Sequence, residues 1–430
     1  MVMHVQEQSR KFMKPSIPTP KSLRRLKIGF IDEFAPIMNV NVVLFFSDSM
    51  PYSASQLETS LQKALTRFNP LAGRYDKENH IVDCNDQGAE FIRAKASIKL
   101  QDLLDKNNKV KLVDELIRSR GGATDLVTDP ILSIQVTTFV CGGVALGISI
   151  SHRIADASTL STFLIEWASI SREEKEVEFH NGPGFISSSL FPALGIAPLE
   201  LGIPTMIYED GMSPNVTLKL SFNNRVISRL KENAILNGGI GSPKWSKVQL
   251  VTSVILKGLI GVDREIYGYP RDCTLLQPIN LRGKTASVIR KDSCGNIWGI
   301  LHTEFKTADT IQELAEVLRD SIKNEVKNYS KVHLDTEEGE TMVLNSFAQM
   351  ADISPKTNLI WITSWCHFPF YEADFGFGKP VWANGGSIGV RNLAYLMDDV
   401  EGNGVEAYVG LESKDIPSFE EALDIKALLA

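Results

Sequence analysis

The sequence predicts an α/β protein of two lobes of comparable size, joined by a long crossover linker. Its 430 residues are long for one hydrophobic core. Segments of strand and helix period alternate irregularly along both halves. Near residue 181 the composition shifts, and residues 180–215 hold five prolines and several glycines with no sustained period. These features place a first lobe at 1–181, a linker at 182–216 and a second lobe at 217–430.

In chain order, "NVNVVLFF" (39–46) is β-branched and aromatic and reads as a strand. A helix follows over 53–68, with Leu57, Leu61, Ala64, Leu65 and Phe68 on one face. "HIVDCNDQGAEFIRA" (80–94) reads as a β-hairpin turning at "NDQG". In "ILSIQVTTFV" (131–140), Leu132, Ile134, Val136, Thr138 and Val140 share a face. In "VALGISIS" (144–151), Val144, Leu146, Ile148 and Ile150 do, with Gly142 and Gly143 between the runs to supply a tight turn. The opposite face of the second run, Ala145, Gly147, Ser149 and Ser151, is small enough for another backbone to approach closely.

A helix is expected over "TLSTFLIEWASI" (159–170). Past the linker come a strand near "VTLKLSFN", a helix around "RVISRLKENAIL" and a longer one in "KWSKVQLVTSVILKGLIGV". In the last, Ser246 sits three residues before Gln249 as in a capping box. "TIQELAEVLRDSIKNEV" is a further helix, and "CTLLQPINLR", "GNIWGILHTEF", "NLIWITSW" and "VEAYVGLE" are strand-like. No short-period repeat or low-complexity tract appears.

A net charge of −7 without a long basic run argues against nucleic acid as a partner. Five scattered cysteines, an odd number with no CxxC pair, read as reduced thiols of a cytoplasmic protein. The first thirty residues have no apolar core of a signal peptide, and no apolar run reaches membrane-spanning length.

The feature that invites chemistry is "SHRIAD" (151–156), where His152 and Asp156 lie four apart at a strand-to-helix turn. If the strand alternation continues, His152 shares the face of Ile148 and Ile150. Three readings compete. The histidine is a satisfied buried group and Asp156 a helix N-cap; or the two ligate a metal, although no further ligand cluster accompanies them; or the imidazole is a general base that takes a proton from a hydroxyl or amine as it attacks a carbonyl. The local residues do not choose between the first and the third.

The wider set of motifs does. "HRIAD" (152–156), "NLR" (280–282), "CGN" (294–296), "TSW" (363–365) and "DFGFGKP" (374–380), with "KPSIPTP", "NPLAGRY" and "DCNDQG" before them, resemble in order and spacing the plant BAHD acyl-CoA-dependent acyltransferases. The alkaloid- and aromatic-alcohol-acetylating branch is the most similar. The resemblance spans essentially the whole chain. It implies two similar chloramphenicol-acetyltransferase-like lobes, mixed sheets flanked by helices, with a channel between them, in a monomer that uses no metal and no permanently bound cofactor.

It also implies that acyl-CoA, here acetyl-CoA, meets a small-molecule alcohol acceptor. His152 would be the base, and Asp156, paired with Arg282, would hold the turn that aims it. Thr363 and the Trp365 indole would lie near the tetrahedral centre, although Trp365 read alone is a core residue. Ser253, Lys257, Asn296, Asp374, Gly376 and Gly378 are the residues the resemblance places on the CoA side; the phosphates of CoA need a local positive surface, which Lys284, Arg290 and Lys291 offer, although such a charge run is more often solvated surface. Two positions depart from the usual pattern: Phe377 stands where Trp is common, and Ala157 where Gly often follows HxxxD. An amine acceptor, or a paralogue that binds ligand without catalysis, are the alternatives; retention of His152, Asp156 and Arg282 together favours an enzyme.

Overall fold

A computed structural model describes residues 2–47, 54–104, 110–118, 126–173, 183–201, 215–238, 245–306 and 310–423. The chain divides into two compact units: Met1–Glu200 with Ile289–Ile297 and Phe368–Gly386, and Leu201–Val288 with Trp298–His367 and Ser387–Ala430. Two short pieces of the second half therefore fold onto the first unit.

In order, the first half gives β1 (Val5–Met13), β2 (Arg25–Lys27), α1 (Phe30–Phe34), β3 (Asn39–Phe46), α2 (Ala54–Arg67), β4 (Arg74–Asp76), β5 (Ile81–Asp83), β6 (Ala89–Ala96), α3 (Leu100–Leu104), α4 (Val110–Val113), β7 (Leu132–Thr138), β8 (Val144–Ser151), α5 (Ala157–Glu173) and α6 (Ser187–Leu190). The second half gives β9 (Asn215–Phe222), α7 (Asn224–Gly238), α8 (Lys247–Tyr267), β10 (Cys273–Asn280), β11 (Trp298–Phe305), α9 (Ile311–Tyr329), α10 (Glu337–Ala348), β12 (Asn358–Ser364), β13 (Trp382–Asn384), β14 (Leu393–Asp398), β15 (Val405–Glu412) and α11 (Ile416–Leu423).

Among the described residues, the first unit holds a six-stranded mixed sheet in the order β1-β6-β7-β8-β3-β13, and a small sheet β2-β5-β4. Only β6 and β7 in the larger sheet run parallel. The hairpin of β7 and β8 forms as expected, with Leu132 opposite Ile150 and Gly142 at φ 91°. All of β8 is buried, because both faces are covered. Its small face is needed: a Cβ on Gly147 would lie 2.0 Å from the Leu116 carbonyl oxygen. Phe68, Phe163 and Trp167 pack as an aromatic row between α2 and α5.

The expected hairpin over 80–94 does not form. β5 pairs with β2 and β4, whereas β6 joins the large sheet between β1 and β7. The chain crosses from one sheet to the other at Asp86 (φ 57°) and Gly88 (φ 101°), and the Asp86 carboxylate accepts hydrogen bonds from Thr19 N at 2.9 Å and Thr19 Oγ1 at 2.6 Å. This anchoring replaces cross-strand pairing. β1 escaped the sequence reading because it is an exposed polar edge strand with almost no apolar alternation.

The second unit holds a mixed sheet in the order β11-β10-β12-β14-β15-β9, with β10, β12 and β14 parallel. Its core joins the sheet to α7, α8, α9 and α11 through residues such as Leu230, Val254, Leu259, Leu314 and Phe419. α8 starts at the expected capping box, Gln249 N to Ser246 Oγ 3.1 Å and Ser246 N to Gln249 Oε1 2.9 Å, and ends at the left-handed Gly268.

Within the expected linker, residues 183–200 fold onto the first unit: Phe185 bridges Cys294, Pro192 bridges Gly29, and α6 lies between. Residues 202–214 lie outside the described residues. The sequence reading carried "DFGFG" in the second lobe; it belongs to the first unit, because Phe375 and Phe377 bury their rings against Phe46 and Trp167. No disulfide links the five cysteines, and no helix among the described residues is long and apolar enough to cross a membrane.

Candidate active site

Each polar residue of "HRIAD" recruits a different piece of chain. β8 ends at Ser151, and the turn is pinned by His152 N donating to the Met38 carbonyl at 2.9 Å. Arg153 is buried and donates Nη1 to the carbonyls of Glu33 and Ala35, both at 2.8 Å. It thereby satisfies the C-terminal carbonyls of α1 and neutralises that end of the helix. Asp156 caps α5: Oδ1 accepts from Thr159 N at 2.8 Å and Oδ2 from Ile297 N at 3.2 Å. So the cap reading of Asp156 holds in the structure.

Thr159 extends this link to the "CGN" segment. Its hydroxyl lies 2.9 Å from Asp156 Oδ1 and 3.0 Å from the Gly295 carbonyl, and it accepts from Gly295 N at 3.0 Å. Gly295 has φ 111°, and a Cβ there would come within 2.8 Å of Ser187 Cβ. Only glycine fits that path without strain. The result is that Asn296, wholly buried, is held beside the histidine.

The His152 ring presents Nδ1 to Asn296 Oδ1 at 3.1 Å. The same amide donates Nδ2 to the His152 carbonyl at 2.7 Å and to Asp32 Oδ1 at 2.8 Å. Reversing the amide would set its oxygen against two acceptors, so its orientation follows from its partners. Asn296 Oδ1 must then accept, and Nδ1 must carry the proton. The ring also makes a hydrogen bond to its own backbone. Nε2 is left with the lone pair. The side chain is half-buried and closely packed; burial holds its pKa below the usual 6.5, against the pull of Asp156 and Asn296, with Arg153 adding to the depression. A neutral imidazole with a basic Nε2 is thus the resting form near neutral pH.

Sequence reasoning missed Asp32. It lies in α1, 3% exposed, with Oδ2 accepting from Gly29 N at 2.7 Å. Burial pushes its pKa up to about 6, opposed by hydrogen bonds from Gly29, Asn296 and Ser187. The available signal was "GFIDEF", an acidic pair inside an apolar run, where a buried carboxylate must find donors. Asn296 was expected on the CoA side by resemblance; its side chain here is on His152 and Asp32.

Asp374, Gly376 and Gly378 form a closed loop: Asp374 Oδ1 accepts from Gly376 N at 2.8 Å and Gly378 N at 3.1 Å, and both glycines have positive φ. Ser171 and Arg172 donate to the carbonyls of Phe375 and Asp374 at 3.1 and 2.8 Å, so the loop is tied to the C-terminal end of α5, while His152 precedes its N-terminal end. A helix of that length separates the two by roughly 25 Å. Phe377 keeps a buried ring, 4.8 Å edge-on to Phe46.

In the second unit, Arg282 is buried and its Nη1 lies 3.2 Å from Asn280 Oδ1. Thr363 stands near the end of β12, paired with Tyr395 across to β14. Trp365 is partly exposed and stacks on Tyr395 at 5.6 Å, which stacks in turn on Tyr408 at 4.5 Å. Ser253 is fully buried and returns its hydroxyl to Gln249 O at 2.9 Å within α8. Lys257 is half-buried on the same helix. Lys284 donates to Asn280 O at 2.8 Å, and burial lowers its pKa. Arg290 pairs with Asp292 on the surface, and Lys291 is exposed. Among the described residues, no group of three or more His, Cys, Asp and Glu is placed to hold a metal ion.

The family described as "Transferase family" matches residues 3–425. A pelargonidin 3-O-(6-caffeoylglucoside) 5-O-(6-O-malonylglucoside) 4'''-malonyltransferase of Salvia splendens is 34% identical over all of both chains. An acetyl-CoA-benzylalcohol acetyltransferase of Clarkia breweri is 30% identical over 97% of this chain and 98% of that one. The crystal structure of vinorine synthase superposes with a TM-score of 0.82 at 29% identity, covering 98% of each chain.

Proposed function

The chain belongs to the Transferase family, that of the plant BAHD acyltransferases, and on that premise we propose that this acyltransferase moves an acetyl group from acetyl-CoA to a hydroxyl of a small specialised metabolite. The observation that carries the reading is the His152 imidazole with Nδ1 set against Asn296 Oδ1, which leaves the lone pair on Nε2. Nε2 takes the proton from the acceptor hydroxyl as its oxygen bonds to the thioester carbonyl carbon. The carbonyl electron pair moves to oxygen, and the tetrahedral intermediate collapses by breaking the C–S bond. The imidazolium returns the proton to the departing thiolate, leaving ester and free CoA. No acyl-enzyme forms. A positioned base of this kind supplies about 10²- to 10⁴-fold.

Arg282 is assigned the role of holding the turn with Asp156, and Thr363 and Trp365 that of polarising the intermediate's oxygen. These roles rest on the motif resemblance. Lys257, which has no hydrogen-bond or ion-pair partner among the described residues, is the cation best suited to a CoA phosphate. Alkaloid, terpenoid and aromatic alcohols are the acceptor classes that fit the branch resembled. The reaction is placed in the cytosol, with the enzyme as a monomer.

Acetyl is preferred to malonyl from the branch resembled, and the arginine next to the base does not speak against it. A malonyl carboxylate requires a cation near the reacting carbonyl, and Arg153, adjacent to His152, is committed to α1 carbonyls. The malonyltransferase relative favours the second reading. The test is to incubate the protein separately with acetyl-CoA and malonyl-CoA and a panel of alcohols, following thiol release and ester mass, with His152→Ala as control. Acetyl ester formed only by the wild type supports the proposal. Malonyl ester alone would replace the donor assignment, and thiol release equal in the control would remove the enzyme reading.

A further inference from the structure

We propose that Asp32 is a positioning residue for the reaction, the far member of a buried relay Asp32–Asn296–His152 that fixes which ring nitrogen of His152 carries the proton. The inference rests on the reading of His152 as the base. Its two oxygens do different work. Oδ2 closes the first turn of α1 by accepting from Gly29 N, whereas Oδ1 accepts from Asn296 Nδ2 at 2.8 Å. A cap needs only the first. Together with the His152 carbonyl, which accepts from the same nitrogen, the second fixes the orientation of the amide: a carboxylate can only accept, so the amide nitrogen faces Asp32 and its oxygen faces His152 Nδ1.

The surrounding chain is arranged around this. Arg153 clamps the carbonyls of α1, the helix that bears Asp32. Asp156 and Thr159 hold 295–297, which bears Asn296. Asp32 meets Asn296, and Asn296 in turn meets the ring of His152. The charged groups that act on the ring are Asp156, which favours its protonation, and Arg153, which opposes it.

Replacing the carboxylate by an amide of the same size reverses the logic. In Asp32→Asn, the new side chain has one acceptor. If that acceptor stays on Gly29, its NH₂ faces the NH₂ of Asn296, and the two donors are relieved when Asn296 flips to present its oxygen, at the cost of its own hydrogen bond to the His152 carbonyl. Asn296 then offers NH₂ to Nδ1, and the ring proton moves to Nε2, the atom that should be the base. Loss of the correct tautomer in a related histidine–carboxylate system costs about 10⁴ in turnover.

The experiment is two-part. In the full chain labelled with ¹⁵N-histidine, ring-nitrogen NMR at neutral pH, with His152 identified by its loss in His152→Ala, should show an Nδ1–H tautomer. Asp32→Asn, folded as judged by circular dichroism, should show the Nε2–H tautomer. Its kcat should fall by roughly 10²-fold or more, with KM for acetyl-CoA within about twofold. A wild-type ring protonated on Nε2 overturns the proposal whether or not the variant folds. So does a folded Asp32→Asn with an Nδ1–H ring and wild-type kcat. If the wild type releases no thiol with any acceptor, the acyl-transfer reading fails separately, since the tautomer is read without turnover.

Discussion

A carboxylate buried for positioning should cost stability that a cap alone would not. Asp32 has an ordinary carboxyl pKa of 3.8 and a folded value of about 6. The folded state therefore holds its proton more tightly than the unfolded chain. Its contribution to stability is fully present below its ordinary value and is lost as pH rises through about 6. The difference corresponds to roughly 3 kcal/mol. Asp32→Asn lacks this titration, so its melting temperature should gain on the wild type as pH rises from about 4 to about 7, by an amount worth up to that figure. Parallel melting curves across the window would speak against a buried ionised carboxylate. His152 drew notice because a histidine and an aspartate four apart follow an apolar strand pattern, but only the wider set of motifs favoured a base over a satisfied buried group. Asp32 was not legible, since its partner Asn296 is 264 residues away and no local period connects them.

At the scale of elements, α5 and the segment 295–297 act together. Thr159→Val keeps the volume and removes the hydroxyl that bridges Asp156 to Gly295. It should lower stability by about 0.5–1.5 kcal/mol, the ordinary net worth of a hydrogen bond, and reduce kcat by letting Asn296 shift. Denaturant melts with steady-state kinetics check both. Gly295→Ala should cost more activity, because φ 111° and the 2.8 Å approach to Ser187 Cβ both oppose a side chain. Gly147→Ala is expected to destabilise the first unit severely through the Leu116 carbonyl while leaving the site's composition intact. That close approach was readable from the small face of β8. The failed hairpin at 80–94 was not: its turn residues are right for a hairpin, and only the Thr19 anchor, far away in sequence, decides otherwise.

For the molecule as a whole, chain order is a poor guide to which residues fold together. The helices and core strands with apolar periods were readable, including β3, β7, β8, α8, α9 and β15. The assignment of 289–297 and 368–386 to the first unit was not, because it depends on edge pairing of β13 with β3 and on aromatic packing of Phe375 and Phe377. A chain ending at residue 200 would lack β13, the "DFGFG" loop and Asn296, and it should not unfold cooperatively in a thermal melt. Asp374→Ala should lower the melting temperature, since two loop amides lose their acceptor, yet leave the pH dependence of turnover where it was. A shift of that profile would move "DFGFG" from support into the chemistry.

The account stands on one neutral imidazole taking the acceptor's proton, and the most direct measurement is kcat/KM against pH for the wild type with acetyl-CoA and a productive alcohol. Burial lowers the pKa of His152, so protonation below that value should abolish the base. The rate should rise with pH below about 6.5, where His152 and the carboxyl of Asp32 both lose their protons, and then level, and the residual His152→Ala rate should lack this rise. A profile flat from about pH 5 to about pH 8 in the wild type would contradict it.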